Sequence, residues 1–131
     1  MFRSCRYFAA GGHQRVVDIY DVTTKKRVGV CKGPSSYITQ IDWDATSKLV
    51  AINSGAREQL FFEAPRGKRV VPSHDTLKSI EWSSLTRVLD PTVTGIWPPH
   101  ADVTDVNSCC RSADLISVAT GDDFGYVKLF S

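Results

Sequence analysis

The chain carries almost no net charge: 16 Lys and Arg against 14 Asp and Glu leave a formal +2 over 131 residues. That balance does not make the dense basic stripe that nucleic acid or an anionic membrane demands of a partner, so neither is expected. Sulfur is sparse too. The four cysteines, Cys5, Cys31, Cys109 and Cys110, form no C-x-x-C pair and no metal-ligand spacing, which reads as reduced, intracellular thiols. Cys109 and Cys110 are adjacent, and neighbours on a strand point to opposite faces, so they are poorly placed to share one ion. No apolar run is long enough to span a bilayer, and Arg3 and Arg6 interrupt the N-terminal apolar residues where a signal peptide needs a continuous core. A sustained i, i+3, i+4, i+7 apolar pattern is also missing, which argues against amphipathic helices.

What is present is ordinary for one globular domain, with 42% hydrophobic, 10% aromatic and 23% charged residues. The ending "TGDDFGYVKLFS" contains Asp123-Phe124-Gly125, the letters of a kinase metal-binding signature. A kinase also needs a glycine-rich loop over the phosphates, a strand Lys paired to a helical Glu, and a His-Arg-Asp catalytic loop. None of these is in the chain, and "AAGGHQRVV" lacks the spacing of a phosphate cradle. A phosphoryl-transfer enzyme is therefore the weakest reading.

A repeat explains the ending better. "VVDIYDV", "QLFFEAP" and "YVKLFS" each alternate and each reach an aromatic, Tyr20, Phe62 or Phe130. Positions 20 and 62 are 42 residues apart, within the roughly 40–45-residue period of a WD-type propeller blade. Positions 62 and 130 are 68 apart, one period plus an insertion. "SYITQIDWDATSKLVAINSG" and "ADVTDVNSCCRSADLISVATG" repeat as strand, polar turn and strand, closed by Ser54-Gly55 and Thr120-Gly121. The predicted architecture is all-β, a partial WD40-type propeller of about two to three antiparallel blades. Residues 7–33 supply the c and d strands of one blade, 34–72 a whole blade, and 101–131 the a, b and c strands of the next. "KRVGVCKG" and "GKRVVP" are the outer fourth strands, and "TGDDFG" is a b–c hairpin turn. Between the blades, 73–100 is read as an insertion in which "LKSIEW" and "TRVLD" form short strands and "WPPH" an extended corner.

With these residues assembled, "SSYITQIDW", "IEWSSLTRVLDPTVTGIWP", "TDVN" and "TGDDFGYVKLFS" resemble the echinoderm microtubule-associated protein-like family from Tyr7 to Ser131. The resemblance implies a WD-type propeller belonging to a tandem pair, in a cytoplasmic, cytoskeletal protein that binds microtubules, with tubulin as partner and no catalysis. Other protein partners, through a WD-repeat adaptor role, are the alternative. The chain departs from the family pattern where Leu85 replaces an aromatic, Arg87 an uncharged residue and Asp90 a glycine, which predicts a looser insertion. A propeller closes with about 4–8 blades, so this chain is expected not to close a ring by itself.

Candidate chemistry is thin. His13, His74 and His100 stand at no ligand spacing from one another. Asp122 and Asp123 read as turn formers, and Cys109 or Cys110 with His100 and Asp102 lack the oriented base a thiol nucleophile requires. Trp43, Trp82 and Trp97 are expected to pack between sheets rather than stack on a ligand. No metal, catalytic residue or cofactor is predicted. The one candidate site is a basic rim, Lys25, Lys26 and Arg27 in "TTKKR" and Arg66, Lys68 and Arg69 in "PRGKR", which occupy the same c–d turn of consecutive blades. Such turns serve either solubility or an acidic partner.

Overall fold

The computed structural model describes residues 6–97 and 106–131. It holds three antiparallel sheets, each a meander of consecutive strands. The first comprises β1 (Tyr7–Gly11), β2 (Val16–Asp21) and β3 (Arg27–Lys32), and the second β4 (Ile38–Trp43), β5 (Leu49–Ser54), β6 (Gln59–Glu63) and β7 (Lys68–Val70). The third comprises β8 (Val106–Arg111), β9 (Val118–Asp122) and β10 (Val127–Phe130). The fold is a partial β-propeller with no closed ring among the described residues.

The strands form where β-branched and aromatic residues alternate with polar ones, because a pleated, half-buried surface suits that pattern. In β2 the burial alternates residue by residue, with Val17, Ile19 and Asp21 inward. β5 is buried along nearly its whole length because sheets or loops cover both its faces. The main core joins the first two sheets: Val17, Ile19 and Cys31 meet Val50, Ile52, Leu60 and Phe62, with Trp43 and Ile41 alongside. A second core joins Leu85, Val88, Val93 and Ile96 to Val106 and Cys109.

Two sequence expectations are corrected. Residues 7–33 carry three strands, because Tyr7–Gly11 pairs with β2 from Tyr7↔Asp21 to Gly11↔Val17. Its Ala-Ala-Gly run has low intrinsic strand preference, so only the neighbouring strand reveals it. The insertion, read as two short strands, instead begins with α1 (His74–Ser79). The Ser73 side chain accepts from the Thr76 N–H, Asp75 lies in the first turn and Lys78 in the last, all of which favour a helix end to end. "TRVLD" forms no strand; it leads into a 3₁₀ turn, Pro91–Ile96, capped by Asp90. The insertion's sole strand-like contact among the described residues is the bridge Asp44↔Trp82. Of "WPPH", positions 98–100 lie outside the described residues, as do 101–105 of the next stretch.

Candidate functional site

The turn between β6 and β7 rests on β3. A Cβ on Gly29 would sit 1.8 Å from the Pro65 carbonyl oxygen, and one on Gly67 would sit 2.4 Å from that of Val30. Gly67 also has φ +77, a left-handed conformation that a side chain would strain. Glycine at both positions lets the two backbones touch. The contact sets the Arg66 backbone beside Gly29, two residues past Arg27, so the two basic clusters are neighbours.

All six predicted rim residues are exposed, but they are not equivalent. Arg27 Nη1 lies 3.1 Å from Asp18 Oδ1 on β2. The Arg69 guanidinium lies over Gly33; the Glu58 carboxyl is held below its ordinary value by the Ser54 hydroxyl and the Ser35 N–H first, with a smaller contribution from the Arg69 charge. Lys25, Lys26, Arg66 and Lys68 make no ion pair with the described residues. Lys25 holds φ 55, a left-handed turn conformation.

A second constellation was not foreseen. Residues 82–97 form a wedge between the second and third sheets, and its two sides differ chemically. Toward the second sheet the contacts are polar. Arg87, fully buried, places Nε 2.9 Å from Asp42 Oδ2 and Nη2 2.8 Å from Asp90 Oδ2. Asp42 also accepts from the Ser84 hydroxyl, the Thr86 N–H and hydroxyl, and the Arg87 N–H. The Arg87 guanidinium lies 4.1 Å from the Trp82 ring centroid, and Trp82 in turn packs on Phe61. Asn53 accepts the Leu89 N–H. Toward the third sheet the contacts are apolar, through Leu85, Val88, Val93 and Ile96, and Trp97 pins the wedge by donating Nε1–H to the Val88 carbonyl at 2.9 Å.

The wedge is therefore not loose. Arg87 pairs with both Asp42 and Asp90, so the two charged residues expected to loosen the insertion, Arg87 and Asp90, hold each other. Their opposite signs three residues apart were the available signal. Arg87 Nη1 and Nη2 are buried with no aligned hydrogen-bond acceptor among the described residues; Nη2 keeps the Asp90 carboxylate beside it as an ion pair, and the Trp82 ring beside the guanidinium is the further compensating contact.

Most of the remaining candidates serve turns and packing. Asp122 closes the β9–β10 turn, accepting the Phe124 and Tyr126 N–H groups, while Phe124 faces solvent and Asp123 bonds Asn107. Asp123-Phe124-Gly125 is a hairpin turn. Cys109 is buried, and burial pushes its thiol up to about 11; burial likewise lifts Cys31 to about 12. Cys110 is exposed on the opposite face. His13 stacks loosely on Tyr37, His74 opens α1, and His100 and Asp102 lie outside the described residues. Among the described residues no group of three or more His, Cys, Asp or Glu could hold a metal, and no helix is long and apolar enough to cross a membrane.

Against known families, residues 2–131 match the model of the echinoderm microtubule-associated protein second beta-propeller. The chain belongs to that family. Relatives of this propeller include the 77 kDa echinoderm microtubule-associated protein of Strongylocentrotus purpuratus, 44% identical over 95% of this chain and 18% of the relative. Echinoderm microtubule-associated protein-like 1 of Mus musculus is 42% identical over 95% of this chain and 16% of its own length. This propeller segment thus spans less than a fifth of either relative. Among solved structures, the computationally designed Ika4 protein superposes with a TM-score of 0.49 at 15% identity, over 99% of this chain and 62% of that one.

Proposed function

We propose that this chain is a non-catalytic protein-interaction segment of a microtubule-associated propeller protein, contributing to tubulin binding and cytoskeletal organisation in the cytoplasm. The observation that carries the reading is the seating of the second basic turn on β3, the strand that the first basic turn opens. Lys25, Lys26, Arg66 and Lys68 project from neighbouring sheets without internal partners among the described residues, and Arg27 and Arg69 flank them. Since the chain as a whole is nearly neutral, this local field is what an acidic protein surface would meet. The relatives' names associate them with microtubules, which makes tubulin the acidic surface of choice. A WD-type adaptor for another complex would use the same rim against a different acidic partner.

Cosedimentation with polymerised tubulin tests the reading. Replacing Lys25 and Lys26 with Glu, Arg66 and Lys68 with Glu, and then all four, should weaken pelleting stepwise. Wild-type pelleting should weaken as salt rises, since screening acts over about 10 Å at 0.1 M. Circular dichroism should not change, because exposed turn charges contribute little to folding. If the fourfold variant pellets as wild type does at low salt, the rim is a solvated surface and the microtubule reading loses its support.

A further inference from the structure

α1 contributes nothing to either core, since none of its residues is buried. Its side chains instead line a pocket of about 150 Å³ whose lining comes from residues 59–92, so the second sheet and the insertion shape it. Phe61 and Trp82 are its aromatic wall, with ring centroids 6.2 Å apart, and Leu77 of α1 adds an aliphatic one. The wall is fixed before anything binds. Trp82 is held by its backbone bridge to Asp44 and by the buried Arg87 guanidinium 4.1 Å from its ring centroid, and a preformed pocket pays less ordering cost on binding. On the exposed side of the lining stand His74 and Lys78, four residues apart and therefore on one face of the helix. Neither makes an ion pair with the described residues, and the acidic neighbours Asp75 and Glu81 do not line the pocket.

The lining selects an occupant. A cavity of about 150 Å³ accepts one benzene ring. That is well below the roughly 300–1,000 Å³ of a small-molecule site, so the pocket suits a single side chain better than a whole ligand. Asp90 also lines it, but does not call for a cation. Its Oδ1 already accepts the Thr92 N–H and hydroxyl, and its Oδ2 carries Arg87 and Gln59, so both oxygens are engaged. The charge without an ion pair among the described residues is that of Lys78. We infer that this pocket is a docking site for a partner polypeptide: an aromatic side chain enters between Phe61, Trp82 and Leu77 while a flanking carboxylate of the same segment meets Lys78 and His74. It is a contact separate from the basic rim and does not rest on the microtubule reading.

Fluorescence anisotropy tests this with a labelled heptapeptide carrying one Phe between two Glu. The peptide should bind the chain saturably, and replacing its Phe with Ala should weaken binding about tenfold or more, since burial of the ring supplies most of the contact. Lys78→Glu should weaken the acidic peptide about tenfold and strengthen one in which Lys flanks the Phe, a reversal that mere loss of structure would not produce. Leu77→Trp fills the pocket and should abolish binding with circular dichroism unchanged, because α1 buries none of its residues. If the spectrum changes, Thr92→Trp replaces it. The variant with Glu at Lys25, Lys26, Arg66 and Lys68 should bind the peptide as wild type does. Absence of saturable binding, equal binding of the Ala peptide, or wild-type binding by the pocket-filling variant would each overturn the inference. Loss of binding in the rim variant would overturn it by placing the peptide on the rim, and phenylacetate binding as tightly as the peptide would do so by assigning the pocket to a free aromatic acid. No arm of the experiment contains tubulin, so its failure and that of the microtubule reading are told apart.

Discussion

Arg87 decides how the wedge is held. A buried ion pair adds little over a well-packed apolar pair, but removing one partner strands the other charge, at a cost of about 3–5 kcal/mol. Here two carboxylates depend on one guanidinium, Asp42 and Asp90. Arg87→Met should therefore destabilise the chain by about that amount in urea unfolding. Asp90→Gly in the Arg87→Met background should cost less than it does alone, with a coupling on the order of 1–3 kcal/mol. Additive losses would mean the two residues act independently. The sequence showed both charges but suggested the wrong consequence. Asp42 lies 45 residues before Arg87, and no local pattern announces a partner at that distance.

At the scale of elements, turns were the most legible part of the sequence and the insertion the least. Asp in a turn accepts nearby N–H groups, a short-range interaction that letters can reveal. The structure repeats it at four turns. Asp21 accepts from Thr23 and Thr24, and Asp44 from Thr46, Lys48 and Leu49. Asp114 accepts from the Ser112 hydroxyl and the Ile116 N–H, and Asp122 from the Tyr126 and Phe124 N–H groups. These bonds hold all four carboxyls below their ordinary value, outweighing at Asp44 the upward push of burial. Because the folded values lie below the unfolded ones, the stabilisation is fully present above the ordinary carboxylate range and is lost as pH falls through the folded values. Melting temperature should therefore be flat near neutrality and fall progressively below about pH 4. Asp122→Asn should make the fall shallower; an unchanged acid limb would remove Asp122 from the account. α1 escaped notice for a different reason: it spans a few residues, buries none of them, and so never acquires the apolar period by which helices are recognised.

At the scale of the whole molecule, the repeat of Tyr20, Phe62 and Phe130 revealed the propeller because each sheet must meet the same packing problem at the same strand position. What it could not reveal is that the two internal joints are built differently. The first joins sheet to sheet through a continuous apolar core, and the second passes through a wedge that is polar on one side and apolar on the other. Apolar joints resist opening in proportion to the area they bury, whereas a wedge held by a charged network opens once that network is broken. Local stability should then fall from the second sheet to the third. In native-state hydrogen exchange, amides of β5 and β6 should be the slowest and those of the edge strand β10 the fastest. Arg87→Met should accelerate exchange in β8 and β9 far more than in β2, since only the third sheet depends on the wedge for its attachment. If exchange rises equally in all three sheets, the molecule opens as one cooperative unit and the wedge is as much a part of the main core as Phe62.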